Sequence, residues 1–169
     1  MGIKIVTDST ADLPLGLADE LDITVVPLKV HFGEEEYLDY VDLNSDSFFD
    51  KLKDSEDMPR TSQPAPADFE AVYRDAAAAG DSIISLHLSS HLSGTFQSAV
   101  IARSALPDLD IEVIDSQTAS MAFGMIVIEA ARAVTSGKTK EEIMIQIRRH
   151  LDQVNVFFAV DTLEYLQRN

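Results

Sequence analysis

Short apolar runs alternate along the chain with longer stretches in which apolar residues recur every three to four positions. The runs "IKIVT" (residues 3–7), "SIISLHL" and "IEVID" are rich in β-branched residues and end in polar turns, which is typical of buried strands. The longer stretches predict amphipathic helices. Because strands that alternate with helices form parallel sheets, the pattern predicts an α/β fold, with a mostly parallel sheet and helices on both of its faces.

Capping and turn residues set the limits of the predicted helices. Pro14 suits the first turn of a helix that runs to about residue 21, and Pro66 and Gly80 enclose another helix. The remaining predictions are a helix capped by Asn44 that carries Phe48, Phe49 and Leu52, the helix "GTFQSAVIARSAL", a helix from about residue 120 to 135, and a helix that begins with a capping box of Thr139 and Glu142.

The rest of the chain is predicted as extended segments and loops. "ITVVPLKVHF" indicates extended segments broken at Pro27, followed by a hairpin turn at Gly33 that returns through Tyr37. The prolines of "DMPRTSQPAP" (residues 57–66) predict a loop. The run "VNVFFAV" is almost entirely apolar and predicts a last buried strand.

Composition and charge narrow the class of protein. The 169 residues, 46% hydrophobic and 25% charged, are ordinary for one globular domain, which we expect to span residues 1–169. A net charge of -16 repels phosphate backbones and anionic membrane surfaces, so nucleic acid is not an expected partner. The absence of Cys excludes disulfides and thiolate chemistry. Neither an export signal nor an integral membrane segment is visible, so we expect a cytoplasmic protein.

Four hydroxyl-rich loops are the candidate site. "TDSTAD", "LSSHLSGT" and "DSQTAS" follow predicted strands, and ligands bind beyond the carboxyl ends of strands in such sheets. If Ser93 and Gly94 open a helix, its free N–H groups and positive dipole end form an anion site, which Thr61 and Ser62 of "RTSQPAP" complete. Because Ser and Thr are also common capping residues, the loops have a purely structural explanation as well.

Other chemistries fit these residues less well. His87 and His91 stand four apart, but they straddle a strand end and have no evident third metal ligand. Ser93, His91 or His87, and Asp115 suggest a hydrolase triad, yet Ser93 lacks the glycine two positions before it that a nucleophile elbow requires. No Walker glycine pattern and no GxGxxG motif occur.

Five ordered motifs carry a family resemblance: "KIVTDSTADLP", "RTSQPAPADF", "SLHLSSHLSGTFQSA", "EVIDSQTASMAFG" and "DTLEYLQRN". Together they resemble the DegV family of bacterial fatty-acid-binding proteins, over essentially the whole chain. The resemblance implies a DegV-like N-terminal α/β domain that binds one long-chain fatty acid and presents its carboxylate to an ATP-dependent fatty-acid kinase. It also implies that Thr61 and Ser93 hold the carboxylate, that no other cofactor is needed, and that the protein itself is not an enzyme.

Further residues are expected around this carboxylate and along the acyl chain. Secondary candidates for the carboxylate are Asp8, Ser9, His87 and Ser116, beside Ser62 and Gly94. Candidates for an apolar slot are Met121, Met125, Ile126, Phe157 and Phe158. Members of the family usually continue into a second domain that closes the slot and adds a basic or His partner. Because this chain stops inside what looks like an unfinished helix, we expect a truncated piece that binds more weakly than a full-length relative.

Two other classes of function stay open on the sequence. One is an enzyme, either a small-molecule kinase subunit or a hydrolase that uses Ser93. The other is a non-catalytic α/β interaction domain whose hydroxyl-rich loops only cap helices.

Overall fold

The computed structural model describes residues 2–157, 159–161, 163 and 167. In chain order the elements are β1 (Ile3–Asp8), a 3-10 turn (Ser9–Ala11), α1 (Leu17–Glu20), β2 (Ile23–Val26), β3 (Lys29–Phe32), β4 (Glu35–Leu38), α2 (Ser45–Asp54), β5 (Arg60–Ser62), α3 (Pro66–Ala76), β6 (Ser82–His87), α4 (Thr95–Ser104), β7 (Ile111–Asp115), α5 (Met121–Thr135) and α6 (Lys140–Gln153). In this described part, no helix is both long and apolar enough to cross a membrane.

A four-stranded parallel sheet forms the centre of the fold, in the order β2-β1-β6-β7. Ile5 of β1 lies opposite Ile23 of β2 and Ile84 of β6, and His87 at the end of β6 lies opposite Asp115 of β7. The predicted α/β fold and parallel sheet are therefore confirmed. Since all four strands run the same way, their carboxyl ends lie along one edge of the sheet.

Helices cover both faces of this sheet, as predicted. Successive side chains of a strand point to opposite faces, and β1 illustrates this. Ile5 packs in a buried cluster with Phe123 of α5 and with α6, whereas Val6 packs in a second cluster with Phe69 of α3 and with α4. Both clusters are almost free of solvent exposure, so the sheet is held between two apolar layers.

A second, smaller sheet is antiparallel and has the order β4-β3-β5. Val30 of β3 lies opposite Tyr37 of β4 and Thr61 of β5. The predicted hairpin turn at Gly33 is confirmed, since this glycine has a left-handed φ of 59° between β3 and β4. The predicted loop over residues 57–66 is wrong at Arg60–Ser62, because these three polar residues become a strand by pairing with β3 rather than through any pattern of their own.

The predictions for the first two helices, α1 and α2, have different outcomes. Asn44 caps α2 as predicted, with its side chain accepting from the Ser47 N–H at 3.0 Å. The helix expected from Pro14 to about residue 21 is reduced to the single turn Leu17–Glu20. Gly16 has a left-handed φ of 79°, which no helix interior adopts, so the helix cannot begin before Leu17.

The predicted strand "VNVFFAV" is absent from the described part of this segment. Residues 154–157 have no strand structure, and Phe157 is 92% exposed. The described residues of this segment follow α6 and pair with no strand of the parallel sheet, whose order ends at β7. Phe158 and most of the predicted terminal helix "TLEYLQRN" lie outside the described residues.

Candidate functional site

Three of the four hydroxyl-rich loops meet at the carboxyl ends of β1, β6 and β7. Leu88, the first residue after β6, donates its N–H to Asp8 Oδ2 at the end of β1, with an N···O distance of 3.0 Å. The next residue, Ser89, donates its N–H to the carbonyl of Thr118 in the loop after β7, also at 3.0 Å. The loop after β6 is thus anchored to both of its neighbours at the edge where ligands bind in such sheets.

The central loop ends in the N-terminus of a regular helix, as predicted. Gly94 is the N-cap of α4, and the Ser93 hydroxyl accepts from the Thr95 N–H at 3.3 Å. The same hydroxyl lies 2.9 Å from Thr95 Oγ1. Because Ser93 and Gly94 are only partly buried, the positive end of this helix is open to a ligand.

The "TSQP" segment reaches this helix end through Gln63. A Cβ built on Gly94 would lie 2.5 Å from Gln63 Nε2, so the Gln63 side chain occupies the space that only a glycine leaves free. Thr61 is exposed in β5, whereas the Ser62 hydroxyl lies 2.9 Å from His31 Nε2. Since neighbours in a strand point to opposite faces, Thr61 and Ser62 present their hydroxyls in different directions.

Asp8 and His87 form a fully buried hydrogen-bonded chain beneath this loop. Asp8 Oδ2 lies 3.0 Å from His87 Nδ1, and His87 Nε2 lies 2.6 Å from the Ser85 hydroxyl, which is 2.9 Å from the Tyr73 hydroxyl. One direction of donation satisfies every atom: Tyr73 to Ser85, Ser85 to His87, and His87 to Asp8. Burial raises the pKa of Tyr73 to about 12, so its hydroxyl keeps the proton that it donates.

Ser9 and Ser116, the other two secondary candidates for the carboxylate, are also buried and form hydrogen bonds within the protein. The Ser9 hydroxyl accepts from the Leu28 N–H at 3.1 Å. The Ser116 hydroxyl donates to the Thr118 carbonyl at 3.1 Å. The structure therefore places Asp8, Ser9, His87 and Ser116 around the loop bases, below the open helix end at Ser93.

The residues of the hypothetical hydrolase triad are engaged elsewhere. The Ser93 hydroxyl pairs with Thr95, and the Asp115 carboxylate accepts from Ser90 and from the Gln117 N–H. Burial opposes ionisation of Asp115, but these hydrogen bonds together outweigh it and lower its pKa. Ser85, His87 and Asp8 do stand in triad order, but all three are completely buried, so no substrate reaches them.

An open cavity of about 870 Å³ lies beside the anchored loops. Its walls are Leu92, Ser116, Gln117, Thr118, Ala119, Ser120, Met121, Ala122, Leu151, Val154, Asn155, Val156 and Phe157. Most of these side chains are apolar, the polar ones coming chiefly from the loop after β7. The volume lies within the range of small-molecule sites, roughly 300–1,000 Å³, and one end of the cavity adjoins the loop of Ser93.

The predicted slot residues are divided between this cavity and a second one. Met121 and Phe157 line the large cavity, as the slot hypothesis requires. Met125 and Ile126 instead line a smaller cavity of about 240 Å³ between α5 and α6. Phe158 lies outside the described residues.

No metal-binding cluster accompanies these cavities in the residues that the structure describes. Groups of three or more His, Cys, Asp or Glu side chains suited to an ion are missing there.

Comparison with known proteins gives a consistent family. The family model described as "Uncharacterised protein, DegV family" matches residues 2–169. The chain is 36% identical over 169 residues to Protein DegV of Bacillus subtilis, covering 99% of this chain and 60% of that protein. It is 38% identical over 164 residues to a DegV domain-containing protein of Clostridium perfringens, covering 95% and 59%.

Solved structures similar to this fold come from the same family. The crystal structure of DegV from Bacillus subtilis, described as a fatty acid binding protein, matches with a TM-score of 0.93, 36% identity, and coverage of 99% of this chain and 60% of that one. A Thermus thermophilus DegV family protein, studied for fatty acid binding, matches with a TM-score of 0.89, 39% identity and the same coverages. The chain thus spans about 60% of the length of the relatives it matches.

Proposed function

The chain belongs to the DegV family, and on that premise we propose that it binds one long-chain fatty acid and presents it to an ATP-dependent fatty-acid kinase. The observation that carries the proposal is that the loop leading into the helix N-terminus at Ser93 and Gly94 lines, through Leu92, a large, mainly apolar cavity. A fatty acid has the two matching parts, an anionic head and an apolar tail.

The head group is held by neutral donors. A carboxylate taken from water needs charge-assisted hydrogen bonds to offset its desolvation. The Ser93 hydroxyl and the first N–H groups of α4 supply such bonds, and exposed Thr61 approaches from the "TSQP" segment, which contacts Gly94 through Gln63. Ser62 bonds to His31 and orients the segment rather than the ligand.

The tail occupies the cavity between the loop after β7, the start of α5 and the segment after α6. Each methylene taken out of water contributes about 0.8 kcal/mol before the costs of association. Phe157 and Val156 on one wall are largely exposed without a ligand, and an acyl chain would cover them. We propose that the additional length of the relatives forms a second domain that closes this wall and tightens binding.

The chain acts as a carrier in this proposal, without catalysis of its own and in the cytoplasm. Ser93 bonds to Thr95 rather than to a histidine, which leaves it without a base for nucleophilic attack. The exposed position of Thr61 leaves the head group accessible to a second protein. A kinase must reach the carboxylate in this way to transfer a phosphoryl group to it.

Calorimetric titration with octanoate and decanoate tests the proposal at concentrations below micelle formation. We expect affinity to rise by about fourfold for each added methylene, and the alcohols of equal length to bind more weakly than the acids. Thr61→Ala and Ser93→Ala should each weaken the binding of decanoate. Ser104→Ala, at the opposite end of α4, is the matched control and should bind like the wild type.

Two binding results would contradict the proposal. Equal binding of acids and alcohols would remove the carboxylate site, and unchanged affinity in the double variant of Thr61 and Ser93 would remove these residues from it. The same titration on the full-length Bacillus subtilis relative should give tighter binding. Equal affinity would mean that residues 1–169 already form the complete site.

A further inference from the structure

One buried hydroxyl lacks a hydrogen-bond partner in the part of the chain that the structure describes. It is Oγ1 of Thr118, in the "DSQTAS" loop after β7, a residue only 8% exposed. Buried polar groups in native proteins are almost always hydrogen-bonded, so an exception indicates a missing partner such as a ligand or an ordered water. Neither the sequence patterns nor the family resemblance single out this residue.

The backbone of Thr118 is fixed on both sides, so the loop cannot move to satisfy the hydroxyl. Its N–H donates to the Ser116 hydroxyl at 3.3 Å, and its carbonyl accepts from that hydroxyl at 3.1 Å and from the Ser89 N–H at 3.0 Å. The side chain can still rotate about χ1. This rotation exchanges the positions of the hydroxyl and the methyl group, which are nearly the same size. The hydroxyl can thereby turn towards the cavity without any backbone change.

Thr118 lines the large cavity and is joined to Ser93 through a single residue. Ser89 donates its N–H to the Thr118 carbonyl, and its own carbonyl accepts from the Ser93 N–H at 3.1 Å. The two residues thus belong to adjoining loops, and Leu92, the residue before Ser93, lines the same cavity as Thr118. We propose that the Thr118 hydroxyl is a further donor to the bound carboxylate, an inference that rests on the proposed function.

The other hydroxyls on this cavity wall already have partners. The Ser116 hydroxyl donates to the Thr118 carbonyl, and the Ser120 hydroxyl donates to Asp12 Oδ2 at 2.6 Å. Of the hydroxyl side chains lining the cavity among the described residues, Thr118 alone is left to donate to a ligand. A carboxylate accepts several hydrogen bonds, so a donor from the loop after β7 complements Ser93 and Thr61.

The test compares two Thr→Val substitutions at buried positions. Thr118→Val removes the unpartnered hydroxyl, whereas Thr7→Val in β1 removes a hydroxyl that donates to the Leu86 carbonyl at 3.0 Å. Each variant is measured twice, by the Tm of the ligand-free protein and by the Kd for decanoate in calorimetry. Thr118→Ser keeps the hydroxyl and serves as the conservative variant.

We expect opposite results from the two valines. Thr118→Val should leave the Tm of the ligand-free protein unchanged or raise it. It should weaken decanoate binding by about tenfold to a hundredfold, because one hydrogen bond to a charged group is lost. Thr118→Ser should bind within a few-fold of the wild type. Thr7→Val should lower the ligand-free Tm and leave the Kd unchanged.

Three outcomes would overturn the assignment, and they differ from each other. A drop in ligand-free Tm for Thr118→Val that matches Thr7→Val would mean that the hydroxyl has a protein partner. Equal Kd values for the wild type and Thr118→Val would show that the Thr118 hydroxyl does not bind the ligand, and would leave the other site residues unaffected. This result is expected if the hydroxyl bonds to an ordered water. No decanoate binding by the wild type would refute the proposed function, and the role of Thr118 with it.

Discussion

The parallel sheet and the small antiparallel sheet are stabilised in different ways. The central strands β1 and β6 lie between two apolar layers, where Ile84 and Leu86 are fully buried. The small sheet buries only a few side chains, chiefly Val30, Phe32 and Leu43, and its strand β4 is half exposed. Because burial of apolar surface dominates folding free energy, the first region is expected to be much the more stable of the two.

Ion pairs partly replace burial in the small sheet. Lys51 of α2 lies 2.6 Å from Glu35, and its ammonium group stands 5.4 Å and 5.2 Å from the ring centroids of Phe32 and Tyr37. Lys29 pairs with Glu36 across the hairpin at 2.7 Å. Such exposed pairs contribute little to stability, so this region is held by weaker forces than the parallel sheet.

The candidate site joins the two regions. Ser93 and Thr118 belong to loops of the parallel sheet, whereas Thr61 belongs to β5 of the small sheet. A ligand that contacts all three would bind to two rigid loops and to one strand that opens more easily.

The largest effect is expected from the core of the parallel sheet. Phe123 of α5 is fully buried, so Phe123→Ala should lower the free energy of unfolding by about 3–5 kcal/mol. Urea denaturation monitored by circular dichroism measures this loss. Phe49→Ala, at a position 57% exposed in α2, is the control and should cost less than about 1 kcal/mol. Similar losses at both positions would contradict the contrast in burial.

A smaller and local effect is expected at Phe32 in β3. Its ring packs 5.6 Å from the ring of Phe48, so Phe32→Ala should weaken the small sheet without disturbing β1 or β6. Amide hydrogen exchange should speed up by at least about tenfold in β3, β4 and β5, and remain unchanged in the parallel strands. Uniform acceleration through the whole chain would show that the two sheets unfold as one unit.

The smallest effect is a dependence of the small sheet on pH. Hydrogen bonds from Lys51 and Lys29 lower the pKa values of Glu35 and Glu36 below their ordinary value of 4.5. A lowered folded-state pKa stabilises the fold above pH 4.5, and this contribution is lost as the pH falls through the lowered value. The protection factors of the β3 and β4 amides, which are corrected for the pH dependence of intrinsic exchange, should therefore fall on acidification.

Removing one carboxylate tests that origin. Glu35→Gln should flatten the fall in protection factor below pH 4.5, because the variant has no ion pair with Lys51 to lose. Glu34→Gln, one position earlier in the same hairpin, is the control and should keep the wild-type profile. Identical profiles for both variants would mean that other groups govern the acid response.

Local patterns predicted the parallel sheet and most of its helices well. The strands β1, β6 and β7 are short runs rich in apolar, β-branched residues, and such runs are specified by residues adjacent in sequence. The caps at Asn44 and Thr139 depend on residues three positions away, and both are present in the structure. The N-terminus of α4 after Ser93 and Gly94 was predicted for the same reason.

Local sequence patterns could not predict contacts between segments that are distant in the sequence. β5 exists because Thr61 pairs with Val30, and Gln63 matters because its side chain lies against Gly94, a residue 31 positions further along the chain. Thr118 is buried without a partner, a property that depends on every neighbour of its loop. The strand predicted at "VNVFFAV" was wrong in its described part because apolar composition alone does not provide a strand to pair with.

The pairing of β1 with β6 also determines when the site appears during folding. Asp8 and His87 are 79 positions apart, and closing so long a loop costs entropy that only the completed sheet offsets. We therefore expect the anchored loops at the end of β6 to form only together with the completed sheet. A ligand that binds there only in the folded state would slow unfolding more than it speeds folding, and so would prolong the lifetime of the folded chain.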